Sequence, residues 1–246
     1  MKQMKKLLIY IMVLTLAGNY ALAYRHENAI KRTFTLNSGG TVRVKTIRGD
    51  INVSTHSGNE VKLEAIVFGE NNADVDKMKI EFETAADSIT IYTPADMNTV
   101  NVDIDYILKI PANVNTVQLS TLSGEIKVKG TYKHLISTSY NGDIDVEGGF
   151  SLCELNSANG EIQVWQDQSL SGDITTKSTN GSIKIKIGEE SNFTVTGHTV
   201  TGDIHSEFNT GITGDMSGTQ IKGTIKDGTY KINLETVNGD IQLLKQ

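Results

Sequence analysis

The chain predicts an all-β fold: a parallel β-solenoid, or β-helix, of Gly-Asp/Glu-Ile rungs, preceded by a mixed β region carrying one short helix. Three observations carry this reading. First, Gly49, Gly124, Gly142, Gly160, Gly181, Gly202 and Gly239 each have Ile two residues on and Ser or Thr three residues back. Position-specific columns of this kind are what stacked copies of one unit produce. Second, Val42, Val117, Leu135, Cys153, Ile174, Val195 and Ile232 stand seven residues before those glycines, and Val53, Val128, Val146, Val164, Ile185, Ser206 and Leu243 four after. Polar residues such as Lys127, Asp145, Gln163, Lys184 and His205 fall between, and such alternation marks strands with one buried face. Third, the chain holds 23 glycines and only 2 prolines, a profile of strands and tight corners.

Residues 1–23 read as a secretory signal peptide. Lys2, Lys5 and Lys6 form a basic start, Leu7 to Ala17 an apolar run, and Ala21-Leu22-Ala23 a cleavage site. Tyr24 is then the first mature residue. The apolar run is short for a bilayer span, no later segment qualifies, and no cysteine near the cleavage site invites lipid attachment. Loss of the three signal lysines leaves 20 basic residues against 29 acidic ones, a net charge of −9. That balance argues against nucleic acid and against docking on anionic lipid. With Cys153 as the single cysteine, no intramolecular disulfide can form.

Residues 24–112 read as the mixed β region. Thr41 to Val44, Ile51 to Val53, Val61 to Ala65, Lys79 to Glu83, Ser88 to Tyr92 and Val100 to Ile110 pattern as strands. Asn72 to Met78 is the short helix, with Asn as cap and acids in its first turn. Residues 113–246 form the repeat region, continuous with the first as one structural unit. From Gly124 onward the glycines are separated by 18, 18, 21, 21 and 37 residues. The last interval leaves room for a degenerate rung at Gly223, where Gly214 precedes by the same nine residues that separate Gly172 from Gly181. The final rung, Asp240 to Leu244, would then carry an open edge able to pair with another chain. The Asn-Gly pairs at 141, 159, 180 and 238 are also hairpin signals. An antiparallel meander would use the same letters, but the fixed Ser/Thr and Ile columns favour parallel stacking.

Gly40-Thr41-Val42 leading to Arg48-Gly49-Asp50-Ile51, the stretch Tyr106 to Pro111, and the repeated Ser/Thr-x-x-Gly-Asp/Glu-Ile rungs together resemble a known family. It is that of bacterial exported proteins named as putative adhesins, a β-helix-like domain of unknown function. The resemblance covers nearly the whole mature chain. It implies an envelope protein and brings no catalytic residues with it.

Candidate sites are few. The acidic column Asp50, Glu125, Asp143, Glu161, Asp203 and Asp240, interrupted by Ser182, invites a calcium reading. The glycine-rich nonapeptides of a calcium β-roll are missing, so these acids are expected to accept backbone N–H bonds at a solvated corner instead. Arg48-Gly49-Asp50 spells an integrin tripeptide, yet the repeat itself demands its Gly-Asp. Cys153 falls in an apolar column and reads as a small buried hydrophobe. His26, His56, His134, His198 and His205 show no metal-binding spacing. Thus no catalytic, cofactor or metal residue is assigned. Trp165 is the residue of interest: it is outward, where other rungs place Lys129, Glu147 and Lys186. It either offers a flat face to a sugar or partner or lies over its neighbouring rung. Trp165, Lys127, Lys129, Lys184 and Lys186 form the expected partner surface.

The function expected is that of an exported, non-enzymatic β-solenoid in the periplasm or on the surface of a bacterium. It would bind a glycan, a host protein or another envelope protein. The alternatives are a polysaccharide-processing enzyme on a β-helix and a purely structural periplasmic protein.

Overall fold

The computed structural model describes residues 26–95, 101–166, 168–215 and 218–246, so the signal segment lies outside the described residues. The N-terminal region contributes β1 (His26–Thr35), β2 (Thr41–Arg48), β3 (Ile51–His56), β4 (Glu60–Gly69), α1 (Asn72–Lys77), β5 (Glu81–Ala85), β6 (Ser88–Tyr92) and β7 (Val102–Pro111). The repeat then alternates long and short strands: β8 (Thr116–Ser123), β9 (Ile126–Lys129), β10 (Tyr132–Asn141), β11 (Ile144–Glu147), β12 (Phe150–Asn159), β13 (Ile162–Trp165), β14 (Asp173–Asn180) and β15 (Ile183–Ile187). It continues with β16 (Phe193–Thr201), β17 (Ile204–Ser206), β18 (Gly211–Asp215), β19 (Gly218–Ile225), β20 (Tyr230–Asn238) and β21 (Ile241–Lys245).

Each rung places a long strand in one sheet, turns at its glycine, and places a short strand in the other. The result is a two-sheet β-solenoid. The ten-stranded sheet runs β1-β4-β7-β3-β9-β11-β13-β15-β21-β17, and the eleven-stranded sheet runs β18-β19-β16-β20-β14-β12-β10-β8-β2-β6-β5. The body is parallel and in register: Ile126, Ile144 and Ile162 are Cα partners, as are Leu135, Cys153 and Ile174. Among the described residues, antiparallel pairs occur only toward the ends, where β1, β4 and β7 pair, β5 joins β6, and β18 and β19 follow β16. The Gly49 rung stacks directly on the Gly124 rung through β2–β8 and β3–β9.

The core lies between the sheets. Ile51, Ile126, Ile144, Ile162, Ile183 and Ile241 are wholly buried, and the column fades only at Ile204, half-buried at the stack's end. Each such isoleucine contributes about 1.5–3 kcal/mol. Helix α1 packs Val75 beneath itself and is capped by Asn71, whose side chain accepts from the Asp74 N–H at 2.9 Å.

The corner explains the motif. A Cβ on Gly142 would collide with the carbonyl oxygen of Gly124, and Gly160, Gly181, Gly239 and Gly202 meet the preceding glycine of the stack in the same way. That carbonyl points along the stack and accepts from the hydroxyl column: Ser139 on Gly124 at 3.2 Å, Ser157 on Gly142 at 3.2 Å, Ser178 on Gly160 at 3.2 Å, Thr236 on Gly181 at 2.9 Å. The next N–H donates to the acidic column: Glu125 to Asp50 at 2.8 Å, Glu161 to Asp143 at 2.7 Å, Asp203 to Asp240 at 2.9 Å. Ser182, the interruption, accepts from Asp240 in the same manner at 3.1 Å. Asp50, Asp143 and Asp240 therefore serve the backbone, as their turn chemistry implies, while Glu125 pairs with Lys127. The asparagines of the Asn-Gly pairs form a ladder rather than hairpin turns, with Asn159 donating to Asn141, Asn180 to Asn159 and Asn238 to Asn180 at 2.8–2.9 Å.

Two expectations are corrected. Gly223 is not a rung corner: it lies in β19, antiparallel to β16 and opposite Val195. The final rung has no open edge, because β20 and β21 slot between the Gly181 and Gly202 rungs, pairing on both sides. The chain leaves the stack after β17, makes the β18–β19 hairpin and returns one place earlier.

Gly160→Ala forces a Cβ into a carbonyl and should cost about 3 kcal/mol, the upper range of overpacking. Gly149→Ala, whose Cβ meets nothing closer than 3.4 Å, should cost about 1 kcal/mol or less. Urea unfolding of the two variants measures the difference.

Candidate binding surfaces

Outward positions of the ten-stranded sheet form two rows across the strands. One reads Ile107, Asn52, Lys127, Asp145, Gln163, Lys184; the other reads Lys109, Ser54, Lys129, Glu147, Trp165, Lys186. Trp165, Lys127, Lys129, Lys184 and Lys186 therefore share one face. A shallow groove of about 450 Å³ crosses β7, β3, β9, β11 and β13, running between Ile107 and Trp165, with Lys127 and Lys129 in its lining. Lys184 and Lys186 lie beyond the tryptophan, on β15.

Trp165 is 41% exposed. Its Nε1 donates to Gln163 Oε1 at 3.2 Å, and Lys186 Nζ sits 5.6 Å from the ring centre. The ring is thus steadied on one side by a cation and by its own face-mate, while the groove side stays open. At an exposed site such a cation–π contact contributes about 0.5–1 kcal/mol. Lys127 pairs with Glu125 at 2.6 Å and Lys129 with Glu147 at 2.8 Å, so the groove carries little net charge.

Asp145, which sequence reasoning passed over, lines the same groove. Loss of water, then a hydrogen bond to Glu125 and the charge of that neighbour, push its carboxyl up to about 6. Nothing in its rung position marks this, because Glu125 reaches it from the adjacent corner.

A second groove, of about 740 Å³, runs along the eleven-stranded sheet. One wall is the column two residues before each glycine, where Leu122, Tyr140, Val237 and Val200 are 42–56% exposed. The other wall is polar, with Ser120, Thr138, Asn156 and the Lys177–Glu235 pair at 2.8 Å. The signal was present in the sequence: strand alternation makes this column outward, yet most of its members are apolar.

The remaining candidates fall into place. Cys153 is wholly buried between Leu135 and Ile174, and burial pushes its thiol well up, so it is an inert core residue. Arg48 binds Asn101 at 3.2 Å, and Asp50 accepts from Glu125, so the Arg-Gly-Asp tripeptide is locked into a stacked corner. Among the described residues, no group of three or more His, Cys, Asp or Glu comes together as a metal site. No described helix is long and apolar enough to cross a membrane.

A family model described as Toastrack DUF4097 matches residues 12–244. The chain belongs to the Toastrack family. The resemblance carried by the rung motifs points to the same group, whose function as a domain is unassigned. Among solved structures, a putative cell adhesion protein from Clostridium sporogenes is similar over 90% of this chain and 100% of its own, at 13% identity and a TM-score of 0.53. A putative adhesin from Bacteroides fragilis covers 88% and 97%, at 12% identity and a TM-score of 0.47. A protein from Parabacteroides distasonis named for putative lipid binding covers 89% and 97%, at 12% identity and a TM-score of 0.38. At such identities the first likeness bears on the Toastrack fold alone. No curated protein matches the chain.

Because Asp145 holds its proton more tightly in the fold than the roughly 3.9 of a free Asp, ionising it costs stability as pH rises from about 4 to 6, and that cost persists above. Asp145→Asn should therefore raise the unfolding midpoint at pH 7 and leave it unchanged at pH 4. Thermal melts across that range read it directly; a variant less stable at pH 7 contradicts the assignment.

Proposed function

We propose that this Toastrack protein is an exported, non-enzymatic binding protein of the bacterial envelope. It works in the periplasm or at the cell surface, after removal of residues 1–23. Its partner, a glycan or an envelope or host protein, lies in the groove across the ten-stranded sheet. The observation that carries this reading is Trp165, a half-exposed ring braced by Gln163 and Lys186 at one end of a groove lined by Lys127 and Lys129. Flat aromatic faces of this kind stack on sugar rings and on partner side chains. Lys184 and Lys186 extend the surface past the tryptophan. The cell-adhesion name of the Clostridium sporogenes protein supports a binding reading.

Two experiments test the reading. The purified mature protein should be retained by members of a glycan and matrix-protein array, and Trp165→Ala should weaken that retention by about tenfold, the scale of a lost aromatic contact, with the protein still folded and its stability lowered by about 1 kcal/mol, the scale of the lost cation–π contact. Retention that ignores the substitution removes Trp165 from the surface. Protease shaving of intact cells assigns the compartment: digestion beside a surviving periplasmic control places the protein outside, and full protection places it in the periplasm.

A further inference from the structure

One rung reverses the charge of its neighbours. Of the seven corners, six follow the glycine with a carboxylate, and only Gly181 is followed by a hydroxyl residue, Ser182. On that same rung the outward residues of β15 are Lys184 and Lys186. Each other rung sets at least one acid at its corner or on its short strand, so this rung stands out as basic in a chain of 29 acidic residues. Across the sheet Lys184 lies between Gln163 and Gln242, and Lys186 between Trp165 and Leu244.

Both cations are uncompensated. Among the described residues neither forms an ion pair: Glu147 is held by Lys129, and the two acids that follow β15, Glu189 and Glu190, are held by Lys245 and Lys226. The Asp240 carboxylate at the adjoining corner accepts the Asp203 N–H at 2.9 Å. Lys186 Nζ meets the Trp165 ring instead, 5.6 Å from its centre. Two residues apart on one face of a strand, the lysines are about 7 Å apart at the backbone, so one carboxylate can reach both ammonium heads. The opposite flank of Trp165 has the other sign, with Glu147 as its Cα partner and Asp145 on the same strand. A ligand crossing the ring thus passes from acids to free cations, and complementarity of this kind selects the partner and fixes its register.

We infer that this surface takes an acidic glycan in which a uronic acid alternates with an uncharged sugar. The uncharged ring lies on the groove side of Trp165, and the neighbouring carboxylate sits between Lys184 and Lys186. A neutral glycan leaves both lysines without use. A chain of uronic acids alone sets a second carboxylate against Asp145 and Glu147. An acidic peptide supplies the carboxylate but no flat sugar face for the indole. The placement of the uncharged ring rests on the groove reading above; the two lysines and Ser182 add the charge of the ligand to it.

Calorimetric titration of the mature protein with hyaluronan hexasaccharide, chitohexaose, hexagalacturonate and polyglutamate tests it. The hyaluronan fragment, which alternates glucuronic acid with an uncharged amino sugar, should bind about tenfold more tightly than chitohexaose, the scale of one charge-assisted hydrogen bond. That preference should shrink as salt rises, because both lysines are open to solvent. Lys184→Gln should erase most of it while leaving chitohexaose binding unchanged, and Lys186→Arg, which keeps the charge and the ring contact, should retain it. Equal affinity for the hyaluronan and chitin fragments, tighter binding of the homouronate, equal binding of polyglutamate, a preference that survives Lys184→Gln, or no binding at all each overturn the assignment. Trp165→Ala separates the two readings, and should weaken both the hyaluronan fragment and chitohexaose. If both need Trp165 but bind equally in the native protein, the lysine assignment falls and the groove reading remains. Binding that ignores Trp165→Ala overturns both.

Discussion

The whole stack depends on one peptide unit, the one that follows each corner glycine. Its carbonyl points along the solenoid axis into the space where the next rung's Cβ would stand, and its N–H points out of the ladder. Glycine is the only residue that admits the first, the Ser/Thr hydroxyl satisfies it, and after Gly124, Gly160, Gly202 and Gly239 a carboxylate or Ser182 satisfies the second. Remove any of the three and a buried or crowded backbone group is left unpaired. The isoleucine columns supply the driving force, but they would tolerate other registers. The corner does not.

Because the corner and the inner columns hold the register, the outward positions carry few structural duties. Rows of side chains can then change from rung to rung without touching the fold. Both grooves on the solenoid faces arise this way, from strips of outward residues about 4.8 Å apart along the axis.

Much of the architecture was legible in the sequence, because strand alternation and the corner chemistry both act locally. The isoleucine column, the buried place of Cys153 and the outward place of Trp165 follow from period two alone. The order of the rungs was not legible. Any in-register rung satisfies the same parallel ladder, so nothing in Asp240 to Leu244 says which neighbours it takes, and Gly223 kept the right spacing while pairing antiparallel. The Asn-Gly pairs were ambiguous for the same reason: a hairpin and an asparagine ladder use the same letters. The tightened proton on Asp145 comes from its burial and from Glu125 of the neighbouring rung, which no single-rung pattern records.

The inserted final rung is the most direct consequence of this account, and engineered cysteines can test it. Asn180 and Asn238 are Cα partners on adjacent rungs, at about 4.8 Å spacing and within disulfide reach. Asn180 and Thr201 belong to rungs consecutive in the chain but separated by the final rung, about 10 Å apart. The pair Asn180→Cys with Asn238→Cys should oxidise quantitatively in the native protein, with Cys153 protected in the core, while Asn180→Cys with Thr201→Cys should stay reduced. Cross-linking of the second pair instead of the first would contradict the intercalated stack and the glycine order built on it.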